Sequence, residues 1–188
     1  IISTSGKIRF GFNRLSILDL SNQAAQPIWS PSGRYLIVFN GEVYNHMELR
    51  KKLGEFGKEI QSNGDTVSLA YLIDKWGVLK SIKMLEGMFA IGVWDKQEKY
   101  LFLARDFAGI KPLFYGYNRR GLVFASQYNQ ISNHPFFKDE KINHSVLKLY
   151  ISQHFIPPPF GLLKNTFSVF PVEIVTVDIE GKLKRKKF

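Results

Sequence analysis

Cysteine is absent from these 188 residues. That excludes a disulfide framework, a cysteine-ligated metal site and a thiol nucleophile within the chain. No run of about 18 or more apolar residues offers a membrane-spanning helix, and no charged-then-apolar signal opens the sequence. A cytoplasmic protein without a membrane partner is the simplest reading. Histidine is also scarce. The four present, His46, His134, His144 and His154, stand beside turns or helices and not at metal-ligand spacing, so no metal site is expected.

Acidic residues are in short supply, 16 against 26 Lys and Arg, which leaves a net charge of +10. Such an excess can attract phosphates or nucleic acid at long range. Here the cations are scattered, apart from Lys182, Lys184, Arg185, Lys186 and Lys187, which read as a solvated strand. No zinc-finger, helix-turn-helix or RNA-binding signature accompanies them, which argues against a specific nucleic-acid partner. A basic interaction module has only this charge in its favour.

Apolar material is plentiful. Hydrophobic residues make up 45% and aromatics 14%, with 16 Phe, enough for a packed core in one domain spanning 1–188. Ile8, Phe10 and Phe12 alternate as on one face of a strand. A second apolar run, Tyr35 to Phe39, is expected to stop at Asn40-Gly41, a pair suited to a tight turn. Asn45 with Glu48 forms a candidate capping box for a helix carrying Leu49, Leu53 and Phe56. Asp65 and Thr66 can cap a second helix with Leu69, Ala70, Ile73 and Trp76 on its core face and Gly77 as its stop.

From Met88 the period changes to two. Met88 to Trp94, Tyr100 to Ala104, Leu113 to Tyr117 and Leu122 to Ala125 read as an antiparallel meander. Asn143 opens a helix with Leu147, Tyr150 and Ile151 inward, ended by Pro157-Pro158-Pro159. Val172 to Val177 and Lys182 to Phe188 form a hairpin about Glu180-Gly181. Segregated helices and antiparallel strands predict an α+β fold, two sheets face to face with helices outside.

The chemistry-bearing residues sit at strand ends. Arg14 can grip a carboxylate with its planar fork, while Glu42 and Asp65 can hold an ammonium, so together they suit an amino acid. Asn40 and the Gly41 N–H could stabilise an oxyanion. The plain alternatives are a surface arginine, a turn and a helix cap. Arg105 and Asp106 are expected to hold the Gly109 to Pro112 loop, with Gly109 at positive φ. A competing view is that Lys111 contacts a substrate, which its projection into the same pocket as Arg14 would favour.

Arg14-Leu15-Ser16-Ile17-Leu18-Asp19, Gln26-Pro27, Phe39-Asn40-Gly41-Glu42-Val43-Tyr44-Asn45 and Gly64-Asp65-Thr66, in that order, resemble class II glutamine amidotransferases, most closely asparagine synthetases. Leu85-Glu86-Gly87-Met88-Phe89-Ala90, Ala104-Arg105-Asp106-Phe107-Ala108-Gly109-Ile110-Lys111-Pro112-Leu113 and Phe124-Ala125-Ser126 continue the likeness. The resemblance implies an N-terminal-nucleophile fold, a four-layer αββα sandwich of two antiparallel sheets. It implies that Arg14 binds the α-carboxylate of L-glutamine, Glu42 and Asp65 its α-amino group with Gly64 beside them, and Asn40 with Gly41 the oxyanion. It further implies a synthetase domain or acceptor subunit as partner, with ATP and magnesium belonging to that region and no cofactor in this one.

The sequence also departs from the family pattern. That pattern begins with Cys-Gly-Ile and carries an Arg-Gly-Pro-Asp loop, neither of which is present, so the expectation is an N-terminally truncated domain that binds glutamine without hydrolysing it. Gly64 stands for a common serine, Val67 and Gln127 for common glutamates. A degenerate, non-catalytic glutamine-binding or interaction domain is the second reading. A homodimer is compatible with the sequence, which fixes neither the oligomeric state nor the acceptor of ammonia.

Overall fold

The computed structural model of the protein describes residues 2–4, 8–13 and 25–188. Its elements in chain order are β1 (Ile2–Thr4), β2 (Ile8–Phe10), β3 (Ile28–Trp29), β4 (Tyr35–Val43), α1 (His46–Lys52), α2 (Glu55–Lys58), α3 (Asp65–Trp76), α4 (Val78–Met84), β5 (Gly87–Asp95), β6 (Tyr100–Arg105), β7 (Phe114–Asn118), β8 (Gly121–Ala125), α5 (Tyr128–Ser132), α6 (His144–Gln153), β9 (Thr166–Ser168), β10 (Glu173–Asp178) and β11 (Leu183–Lys187).

A six-stranded antiparallel sheet in the order β11-β10-β6-β5-β4-β3 is the centre of the molecule. Its inner strands are mostly apolar on both sides, as in Tyr35 to Phe39 of β4, because both faces are covered. On β4, Tyr35, Ile37 and Phe39 belong to one core and Leu36 and Val38 to another; on β5, Phe89, Ile91 and Val93 face the first and Ala90 and Trp94 the second. Burial of each large apolar side chain contributes about 1.5–3 kcal/mol, so this two-sided pattern fixes the register of the sheet.

The first core is roofed by α3 and α4 through Leu69, Ala70, Ile73, Val78 and Ile82. The helix α3 stops where Gly77, at φ +77°, donates its N–H to the Ile73 carbonyl at 2.9 Å, as its position in the sequence predicts. Leu72 meets Leu49 and Leu53 in a third cluster that seats α1 on α3. The second core is closed by a three-stranded sheet, β8-β7-β9, through Tyr115, Phe124 and Phe167. Behind it lie α5, with Ile131 buried, and Phe137, whose ring fills the space where a Cβ on Gly116 would sit. Helices, sheet, sheet and a thin helical layer make the αββα sandwich. A small ladder of β1 on β2 adds Phe10 to the second core.

Several sequence expectations are corrected. Asn40-Gly41 is no turn: β4 runs through both to Val43, with Gly41 opposite Phe89. The Asn45–Glu48 capping box does not form, because Asn45 bonds the Met84 carbonyl and the Glu86 N–H while Glu48 pairs with Lys52. The meander is divided, β5 and β6 in the large sheet and β7 and β8 in the small one. On α6 only Val146 is buried, and Tyr150 and Ile151 point to solvent. The single helix expected to carry Leu49, Leu53 and Phe56 breaks at Gly54, at φ +63°, into α1 and α2, and the sequence reading also lacked α4, α5, β3 and β9. The closing hairpin forms as expected.

Candidate functional site

Where β4 passes the start of α3, the described residues enclose a cavity of about 830 Å³. Asn40, Gly41 and Glu42 line it from β4, and Gly64 and Asp65 from the head of α3. These five residues, read from two separate motifs, therefore share one wall. Arg14 lies outside the described residues; Gly11, Phe12 and Asn13, which lead to it, also line the cavity.

Backbone geometry explains why the wall needs glycine. A Cβ on Gly41 would lie 2.0 Å from the Met88 carbonyl oxygen, and one on Gly87 2.1 Å from the Glu42 carbonyl oxygen. Their φ values of +149° and +154° also suit glycine alone. Close approach of β4 and β5 is thus specified at the very segment that carries Asn40 to Glu42.

Asp65 is 6% exposed and occupies the first turn of α3, where the helix dipole favours a negative group. One carboxylate oxygen, Oδ2, accepts the Val43 N–H at 2.9 Å, while Oδ1 receives only a long 3.4 Å contact from the Thr66 hydroxyl. The expected capping role is not what this side chain does. Its carboxylate ties α3 to the end of β4 and retains acceptor capacity on Oδ1.

Asn40 donates its amide Nδ2–H to Ser126 Oγ at 3.3 Å, a bond that ties β4 to the residue after β8 and orients the amide. Ser126 and Gln127 line the wall after β8. Gln26 lines it as well, and its side chain imitates a neighbouring strand: Nε2 donates to the Phe39 carbonyl at 2.9 Å and Oε1 accepts the Phe39 N–H at 2.6 Å. Sequence reasoning missed Gln26 and Ser126 as site residues. Their motifs were visible, but nothing local says that they reach Phe39 and Asn40.

Arg105 and Asp106 are structural, as expected. Arg105 donates to the carbonyls of Gly109, Lys111 and Val169 at 2.7, 2.8 and 2.8 Å. Fully buried Asp106 accepts N–H groups from Ile110, Lys111 and Phe89 at 2.9, 3.0 and 3.2 Å. Gly109 has φ +65°. The loop so held brings Lys111 to the lining of the cavity; Arg14, the reference point of the competing view, lies outside the described residues. Among the described residues Lys111 is the cation lining a cavity whose acids are Glu42 and Asp65.

Comparisons with known proteins point to one family. The family model for the glutamine amidotransferase domain matches residues 1–188. The chain is 34% identical to asparagine synthetase [glutamine-hydrolyzing] 1 of Bacillus subtilis over 96% of its length, and 39% identical to the asparagine synthetase [glutamine-hydrolyzing] of Rattus norvegicus over 70%. It spans about a quarter of those relatives, 28% and 24% respectively. Among solved structures, the glutamine phosphoribosylpyrophosphate amidotransferase of B. subtilis superposes with a TM-score of 0.58 at 22% identity, covering 89% of this chain and 32% of that one, a likeness of fold. The chain belongs to the glutamine amidotransferase domain family.

Proposed function

We propose that the cavity binds L-glutamine and that the domain serves an asparagine-synthetase-like enzyme in which ammonia from glutamine amidates a carboxylate. The observation that carries this reading is the convergence of Asn40, Gly41, Glu42, Gly64 and Asp65 on one wall. Glu42 and the remaining acceptor capacity of Asp65 Oδ1 hold the α-ammonium by charge-assisted hydrogen bonds. Arg14 takes the α-carboxylate, with Lys111 as a second cation near it. Asn40 and the Gly41 N–H stabilise the oxyanion formed when the side-chain amide is attacked. The attacking thiol is not among these 188 residues, so hydrolysis needs one supplied from outside them. The partner is a synthetase domain or subunit, to which ATP and magnesium belong, in the cytoplasm.

Titrating the isotope-labelled protein with L- and D-glutamine by NMR tests the reading. Millimolar binding of the L enantiomer is expected, with shifts confined to the cavity wall. Asp65→Asn should weaken it about tenfold or more, because a charge-assisted hydrogen bond contributes roughly 1.5–3 kcal/mol. Equal shifts for both enantiomers, or none, would remove the glutamine assignment.

A further inference from the structure

Arg50 belongs to none of the motifs that mark the site and does not line its cavity, yet it bonds the segment that delivers Asp65. From α1 its Nη2 donates to the carbonyls of Ser62 and Gly64 at 2.5 and 2.9 Å, and its Nε to Ser68 Oγ at 2.7 Å. Ser68, on α3 and wholly buried, donates its hydroxyl proton to the same Gly64 carbonyl at 3.0 Å. His46 Nδ1 lies 3.2 Å from Ser68 Oγ. With the hydroxyl proton engaged by Gly64 and one lone pair by Arg50, the remaining lone pair accepts the His46 Nδ1–H.

The acceptors of this cluster, Ser62, Gly64 and Ser68, are buried, and Arg50 and His46 are half-buried over them. Burial pushes the Arg50 guanidinium and the His46 imidazole below their ordinary pKa values, against the opposing pull of Asp65 on His46. Among the described residues Arg50 forms no ion pair. A half-buried guanidinium without a carboxylate is costly unless its donors are used, and here they go to neutral acceptors on the Ser62 to Ser68 segment. The fork therefore has a structural object, the residue immediately before Asp65.

We infer that Arg50 is the positioning residue for α-amine recognition: through Gly64 and Ser68 it fixes the head of α3 so that Asp65 presents Oδ1 to the cavity. The inference rests on the glutamine reading of that cavity. The geometry is a two-point brace. Arg50 joins α1 to the turn before α3, and Asp65 Oδ2 returns the connection by accepting the Val43 N–H at the end of β4. Glu42 precedes Val43 directly, so both acids share one frame. A lysine keeps the charge of Arg50 but cannot serve three acceptors in one plane.

The test uses the 188-residue protein and two ligands, L-glutamine and glutaramate, which keeps the carboxylate and the amide but lacks the α-amino group. Dissociation constants are read by NMR titration for the parent chain, Arg50→Lys and Ser68→Ala, together with amide exchange at Val43 and the thermal midpoint. The parent chain is expected to prefer glutamine. In Arg50→Lys that preference should fall about tenfold, with glutaramate binding within about twofold and Val43 exchange about tenfold faster. Ser68→Ala, which removes only the hydroxyl, should move the same readouts in the same direction. An unchanged preference and unchanged Val43 exchange in both variants would overturn the inference, as would parallel loss of both ligands with the thermal midpoint intact. If the parent chain bound neither ligand, the glutamine reading itself would fall and take the amine role with it. That outcome differs from failure of the brace alone, in which parent and variants all discriminate.

Discussion

Lys111 shares its loop with two side chains whose polar atoms are turned almost wholly onto backbone, the exception being the Arg105 bond to Ser168 Oγ at 3.3 Å. Arg105 bonds the Lys111 carbonyl and Asp106 its N–H, so the position of Lys111 is set by groups that survive any change of its own side chain. This separates fold from function at one residue. Lys111→Met keeps the apolar stem and removes the ammonium, which in a half-buried site facing a carboxylate contributes on the order of 1 kcal/mol. Glutamine affinity should therefore fall about three- to tenfold with no change in thermal midpoint. Unaltered affinity by NMR titration would return Lys111 to a purely peripheral role. The sequence allowed both orientations, because the direction of a lysine at the end of a glycine turn depends on what the neighbouring sheet brings up against it.

At the scale of elements, the large sheet explains which parts of the site were legible beforehand. Asn40, Glu42 and Asp65 stood out because each lies in a contiguous motif and carries chemistry that suits an amino acid. Their convergence follows from the bond between Val43 and Asp65, which no local pattern contains. The reading of Asn40-Gly41 as a turn failed for a definite reason. The pair is found in turns because both residues tolerate positive φ, whereas here Gly41 uses its φ of +149° inside β4 to let the Met88 carbonyl approach. Two helices were missed for a different reason: α4 follows α3 with only Gly77 between them, and α5 has five residues, too few for a period to show. Gly41→Ala should be among the most damaging small changes in the chain. A Cβ 2.0 Å from a carbonyl oxygen forces β4 and β5 apart, with a stability loss of about 2–4 kcal/mol. Chemical denaturation measures it. A loss below about 0.5 kcal/mol would mean that the two strands separate at that point without cost.

For the whole molecule, the question is how a sheet buried on both faces ends safely at its edge. The strand β10 carries Ile174 into one core and Val175 and Val177 into the other, so its open side would make a flat apolar template for another chain. In the protein β11 covers it, pairing from Glu173–Lys187 to Val177–Leu183. Leu183 and Phe188 pack against the two cores, and the Phe188 N–H bonds the Val172 carbonyl at 3.1 Å. Arg185 lies over the rings of Tyr115 and Phe167, at 5.7 and 5.0 Å from their centroids. Lys184, Lys186 and Lys187 remain exposed on the outermost strand, where like charges oppose the approach of a second copy. Much of the net charge of +10 thus has a reason unconnected with nucleic acid. A chain ending at Gly181 would lose the apolar contacts of the half-buried Leu183 and Phe188, on the order of 1 kcal/mol each, and would expose the β10 edge. Its thermal midpoint should fall, and light scattering should show more concentration-dependent self-association than in the parent chain. Replacing Lys184, Lys186 and Lys187 by threonine in the full chain separates the two effects: pairing and midpoint are kept, while self-association rises and responds little to salt. If the shortened chain associated no more than the parent and kept its midpoint, β11 would be an ornament to the sheet, and the concentration of positive charge along it would need another explanation.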